Sequence, residues 1–150
     1  MEDVIIKHIR KLAYPKIIST IVESYIFKLL EIHLEIESPM EKLFFIEWHY
    51  KKLDLDIKQE LVPQFHDEST GKYFIDFVVF YMNDNQKIGI EIDGDWHEKS
   101  KEQVRKDKKR ERFLVSNKWK IMRFSGSEVH KNPSTCVEEV LSIIKSADEK

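Results

Sequence analysis

Phe74-Ile75-Asp76-Phe77-Val78-Val79-Phe80, followed by Ile88-Gly89-Ile90-Glu91-Ile92-Asp93-Gly94, decides how this chain is read. Both stretches are rich in β-branched and aromatic residues and read as strands. Each carries acids where a strand normally carries apolar side chains. Side chains alternate along a strand, so Asp76 shares a face with Phe74, Val78 and Phe80. In the second stretch the isoleucines take one face, while Glu91 and Asp93 take the other. If the two strands pair, three carboxylates converge at one end of a sheet. A carboxylate in apolar company is costly unless paired or bound to a cation. Like charges that close raise one another's pKa. A hard divalent cation such as Mg²⁺ or Mn²⁺ relieves both problems through oxygen ligands. The competing reading is a set of solvated acids at a sheet edge.

Outward from these strands, Ile57 to Phe65 reads as a strand interrupted at Pro63, and residues 67–71 as a turn. The strands proper run over Lys72 to Met82 and Lys87 to Asp93, with a turn at Asn83-Asp84-Asn85 between them. Residues 99–116 read as a helix, Lys118 to Phe124 as a fourth strand, and Asn132-Pro133 as the start of a last helix. Ser38-Pro39-Met40-Glu41 sets an N-cap, a first-turn proline and a capping-box acid in order, and predicts a helix to about Leu53. Residues 15–36 carry a helical stripe, Ile17, Ile18, Ile21, Val22, Tyr25, Ile26, Leu29 and Leu30, which suits a core face or a homodimer face. The order α-α-β-β-β-α-β-α predicts an α/β fold. Its mixed four-stranded sheet is an antiparallel meander plus a helical crossover, flanked by helices. One domain is expected over 1–150, with an N-terminal helical extension over 1–36 and a core over 37–146.

The chain has 150 residues and a net charge of −2, so it is no general polycation. Its one cysteine, Cys136, forms no internal disulfide. With Met1-Glu2-Asp3 unlike a signal peptide and no long apolar run, this suggests a cytoplasmic protein without membrane spans. Between Glu98 and Arg112 eight basic residues outnumber four acids, a local excess of about +4 that favours phosphates. Lys99, Lys101, Arg105, Lys106 and Lys109 are the candidate nucleic-acid contacts. The plainer alternative is a solvated helix face laced by Glu/Lys pairs.

Asp76 on one strand and Glu91-Ile92-Asp93-Gly94 closing the next resemble the core of the PD-(D/E)xK nucleases. The order of further stretches narrows the resemblance to the very-short-patch repair endonucleases and their small single-domain relatives. These stretches are Ser38 to Leu43, His97, Asp107 with Arg110, and Trp119 to Phe124 with Arg123. The resemblance covers roughly residues 38–146 and implies a restriction-endonuclease-like core that cleaves nucleic acid, with DNA the expected substrate. It implies that Asp76, Glu91 and the backbone carbonyl of Ile92 hold Mg²⁺ or Mn²⁺, with Asp93 joining directly or through water. The common motif has a lysine where Asp93 stands. In the branch resembled, a histidine and another acid supply that function, which points to His97 as acid/base and to Asp107 behind it. Glu41 has two expected roles, capping box and water-mediated metal contact. Asp107 could equally pair with Arg110 on its own helix. The rival functions are an inactive nucleic-acid-binding or assembly module that kept the fold, and a metal-free hydrolase using Asp76 and Glu91 as an acid/base pair.

Overall fold

The computed structural model describes residues 24–25, 27–36, 38–55, 57–94 and 99–149. The first half of the N-terminal stripe, residues 17–22, lies outside them, as do Ile26 and the site candidate His97. Helix α1 spans Pro39–Leu55. Strands β1 (Val62–Phe65), β2 (Ile75–Tyr81) and β3 (Gln86–Asp93) follow, then helix α2 (Lys101–Ser116), strand β4 (Lys120–Ser125), a short helix α3 (Gly126–Lys131) and helix α4 (Pro133–Asp148). The sheet order is β1-β2-β3-β4. The first three strands are antiparallel neighbours, and β4 runs parallel to β3 after the α2 crossover. The expected α/β architecture is therefore the observed one.

Local chemistry explains most boundaries. Ser100 caps α2 by accepting the Gln103 N–H at 3.1 Å, and the Gln103 side chain returns the bond to the Ser100 N–H. Asn132 accepts the Thr135 N–H to start α4, with Pro133 in the first turn. The β2–β3 turn runs through Met82, Asn83 and Asp84, all with φ between 53° and 65°. Three expectations needed correction. The strand expected over Ile57 to Phe65 is confined to Val62–Phe65, and Pro63 lies inside it rather than interrupting it, because β1 is an edge strand and tolerates a residue without an N–H. The turn at 67–71 contains a 3-10 helix, Glu68–Thr70, capped by Asp67. The short helix α3 was not expected, although Ser125 and Glu128 form its capping box.

The two faces of the sheet are built differently. On one, α1, α3 and α4 enclose the main core. Phe44, Phe45, Ile46 and Trp48 of α1 are fully buried against Phe77, Val79, Ile88 and Ile90, with Val137 and Val140 of α4 completing it. Of the described stripe residues, Leu29 and Leu30 pack against this core, as does their neighbour Phe27, and Ile36 is buried within it, whereas Tyr25 is exposed. Helix α1 is covered on nearly every side, so its polar residues need partners. Buried Lys51 meets Glu47 at 3.7 Å and Glu138 of α4 at 3.2 Å. On the other face a smaller cluster, Ile75, Val78, Leu114 and Trp119, joins α2 to the sheet. The acids of β2 and β3 stand on this second face.

Candidate active site

The site follows from register. Phe77 faces Ile90 and Val78 faces Gly89; one more step along the same ladder sets Asp76 opposite Glu91. Between Pro63↔Phe77 and Phe65↔Ile75, Gln64 stands opposite Asp76. On the parallel side Glu91 pairs with Arg123 and Asp93 with Ser125. Gln64, Asp76, Glu91 and Arg123 thus form one polar row across all four strands. Phe77, Ile90 and Phe124, the chain neighbours of Asp76, Glu91 and Arg123, are buried hydrocarbon on the opposite face.

Asp76 ends the β2–β3 ladder with its side chain, whose Oδ2 accepts the Ile92 N–H at 2.9 Å. Burial raises its pKa, against the pull of that N–H bond. Glu91, 8% exposed, is pushed up to about 8 by burial and then by the Asp76 charge. Arg110 of α2 opposes this by pairing with Glu91. Arg110 also donates to the Phe74 carbonyl at 2.9 Å and lies 5.7 Å from the Tyr73 ring centre. Glu41 reaches the site from the first turn of α1. Burial and then the Asp76 charge lift it to about 7, opposed by hydrogen bonds from Ser38 and Gln64. Its capping and site positions therefore coexist. The Gln64 amide donates to Glu41 at 3.1 Å from a backbone with φ of 46°.

Of the sequence-derived candidates, Glu41, Asp76 and Glu91 come together. Asp93 is near enough for its charge to raise the Asp76 pKa, but its carboxylate turns toward Arg123 at 3.8 Å. Among the described residues no three His, Cys, Asp or Glu side chains form a ready metal cage. The donor set at half-buried Asp76 and buried Glu91 nevertheless suits a hard cation: two carboxyls side by side, both with raised pKa values, beside the backbone of Ile92. Arg123 contributes a guanidinium whose Nε is buried and unpartnered among the described residues. Asp107 pairs with Lys99, and that bond holds its carboxyl below the usual range. The alternative Asp107–Arg110 helix pair gives way to Arg110–Glu91. Lys101, Arg105, Lys106 and Lys109 line a shallow concavity on the outer face of α2 with Glu102; Lys106 meets Glu102 at 3.5 Å. Gln64 went unnoticed in the sequence, and only the register across three strands brings it to Asp76.

The family model REase_MTES_1575 matches residues 50–144, which is 95 of the 150 residues. The match begins within α1, beyond Glu41, and takes in all four strands, α2 and most of α4. No curated protein and no solved structure matches the chain. The sheet topology, the acids at the start of β2 and the end of β3, and the family match agree. The chain belongs to the restriction endonuclease family REase_MTES_1575, within the restriction-endonuclease-like PD-(D/E)xK superfamily.

Proposed function

We propose that this protein is a metal-dependent endonuclease that hydrolyses phosphodiester bonds in DNA. The observation that carries the reading is the opposed pair of half-buried Asp76 and buried Glu91, whose carboxyls both have raised pKa values. Together with the Ile92 carbonyl they would hold Mg²⁺ or Mn²⁺, with Asp93 joining directly or through water. Such an ion, when bound, supplies Lewis-acid stabilisation of charge at phosphorus and lowers the pKa of water.

The chain's own groups supply the rest. The Ile92 N–H fixes one Asp76 oxygen and so orients the other. Arg110, tied to the Phe74 carbonyl, holds the Glu91 carboxylate in place. His97 serves as the acid/base, taking a proton from the attacking water or giving one to the leaving oxygen, and Asp107 would orient it. Lys99, Lys101, Arg105, Lys106 and Lys109 draw the phosphate backbone toward the site. Cutting both strands of a duplex calls for two sites, which favours action as a homodimer. The order of Glu41, Asp76, Glu91-Ile92-Asp93-Gly94 and Arg123 supports a relation to the very-short-patch repair endonucleases.

The test is cleavage of supercoiled plasmid and of single-stranded oligonucleotides, with Mg²⁺ or Mn²⁺ and with EDTA. The expected result is nicking or linearisation that EDTA abolishes and that Asp76→Asn and Glu91→Gln lack. Cleavage surviving in EDTA points to the metal-free acid/base alternative. Metal-dependent DNA binding without cleavage of any substrate leaves the inactive binding module.

A further inference from the structure

Gln64 is the member of the polar row that the nuclease reading does not use. It sits in β1, an edge strand, where residues normally adopt extended backbone with φ strongly negative. Its φ is 46°. The left-handed region is disfavoured for a residue with a Cβ, and glycine is the usual occupant. Neither a turn nor a chain reversal requires the conformation here, since Pro63 and Phe65 on either side keep their partners Phe77 and Ile75 in register. What the distortion accomplishes is visible in the side chain. Its amide Nε2 donates to Glu41 Oε1 at 3.1 Å, linking the edge strand to the first turn of α1. The Glu41 carboxylate is thereby held beside Asp76, whose charge it feels. Strain of this kind persists where surrounding structure over-determines it, and it clusters at working sites.

We propose that Gln64 is a positioning residue of the site: its amide, set by a left-handed backbone, fixes the Glu41 carboxylate beside Asp76. The proposal rests on the nuclease reading above. Gln64 acts through Glu41, so it governs turnover and leaves DNA capture to the basic helix. Removing the amide lets the Glu41 side chain relax toward solvent or toward its cap at Ser38, and the acid cluster loses one defined member.

The experiment compares wild type, Gln64→Ala, Gln64→Gly, Glu41→Ala and the double variant Glu41→Ala/Gln64→Ala, each assayed for plasmid cleavage, DNA affinity and thermal melting. Both Gln64 variants should lose about 10- to 100-fold in kcat, a range typical of lost supporting contacts, with KM for DNA unchanged. In the Glu41→Ala background the Gln64→Ala substitution should cost nothing further, because the two act as a unit. Gln64→Gly should melt about 2–4 °C above Gln64→Ala, since only the Cβ distinguishes them in a left-handed backbone. Either Gln64 variant cleaving at the wild-type rate, or additive losses in the double variant, overturns the proposal. So does Gln64→Ala melting at or above Gln64→Gly, which would mean the backbone is not strained. A wild type that cleaves no substrate overturns the nuclease reading itself, and this proposal with it. That outcome differs from the others because it appears before any variant is made.

Discussion

The two faces of this sheet divide the work between them. The face under α1, α3 and α4 buries twenty clustered residues, against four in the cluster under α2, among the described residues. The consecutive residues Asp76 and Phe77 show the contrast at its sharpest. Phe77 is fully buried, with its ring stacked 5.7 Å from Phe44. Asp76 points the other way, into the polar row. A thick apolar layer on one side lets the protein tolerate unfavourable features on the other: clustered carboxyls, a left-handed residue in a strand, and a buried guanidinium Nε without a partner among the described residues. The margin for such features is narrow, because net stability is only about 5–15 kcal/mol.

The largest expected effect breaks this division on the α2 side. Asp76→Asn or Glu91→Gln should lower cleavage by roughly 1,000-fold, the scale on which preorganised charge stabilisation is lost. Asp76→Asn should still melt near wild type, because the amide oxygen can accept the Ile92 N–H. Alanine at 76 is a poorer probe, since it strands that N–H at a cost of about 1–3 kcal/mol. On the opposite face, Phe77→Ala should cost about 3–5 kcal/mol in denaturant unfolding, and any cleavage by the folded fraction should remain metal-dependent. If Phe77→Ala were mild and Asp76→Asn unfolded the protein, the assignment of faces would be reversed.

A smaller effect belongs to His49, buried in α1 with its ring 4.4 Å from Phe45. Burial and then the charge of Lys52 push its pKa down to about 4. The unfolded chain therefore binds a proton that the folded state refuses between pH 6.5 and about 4. Stability contributed by neutral His49 is present above pH 6.5 and is lost on acidification through that window, by up to about 3 kcal/mol. His49→Gln should flatten the acid limb of a melting profile, and an unchanged limb would remove His49 from the account. The smallest effect concerns the outer face of α2. Lys106→Ala with Lys109→Ala should weaken DNA binding and lower the salt slope by about one unit per lost phosphate contact. An unchanged salt titration would assign that face to solvent.

The part of this organisation visible in the sequence is the part set by short periods. Alternation in β2 and β3 placed Asp76 and Glu91 on one face because a strand's period of two leaves no other choice. The Ser38 to Glu41 box marked the start of α1. The crossover through α2 followed from strand spacing. What escaped depends on contacts between distant segments. Arg110 could have paired with Asp107 one turn away, and only the approach of α2 to β3 turns it to Glu91. Gln64 carries no sequence signal, because neither its left-handed φ nor its approach to Glu41 follows from any short-range pattern. Helix α3 leaves only a local mark: Ser125 and Glu128 have capping-box spacing, but six residues are too few for a helical periodicity. His97 lies outside the described residues, so its role rests on sequence alone.

We propose that Glu41 and Glu91, beside Asp76, give up the protons they hold when a divalent cation binds. Thermal melting of the metal-free protein between pH 5 and 8.5, repeated with Mn²⁺, tests it most directly. Raised folded-state pKa values, about 7 for Glu41 and about 8 for Glu91, mean the folded protein holds protons that the unfolded chain releases near pH 4.5. Their stabilisation is complete below that value and is lost as pH rises through about 7 and 8. The metal-free melting temperature should therefore fall across this window once the His49 limb is passed, and the Mn²⁺-induced rise should grow over the same window and vanish in Asp76→Asn. A metal-free melting temperature that climbs from pH 7 to 8.5, with a Mn²⁺ effect absent or equal in Asp76→Asn, would contradict the account.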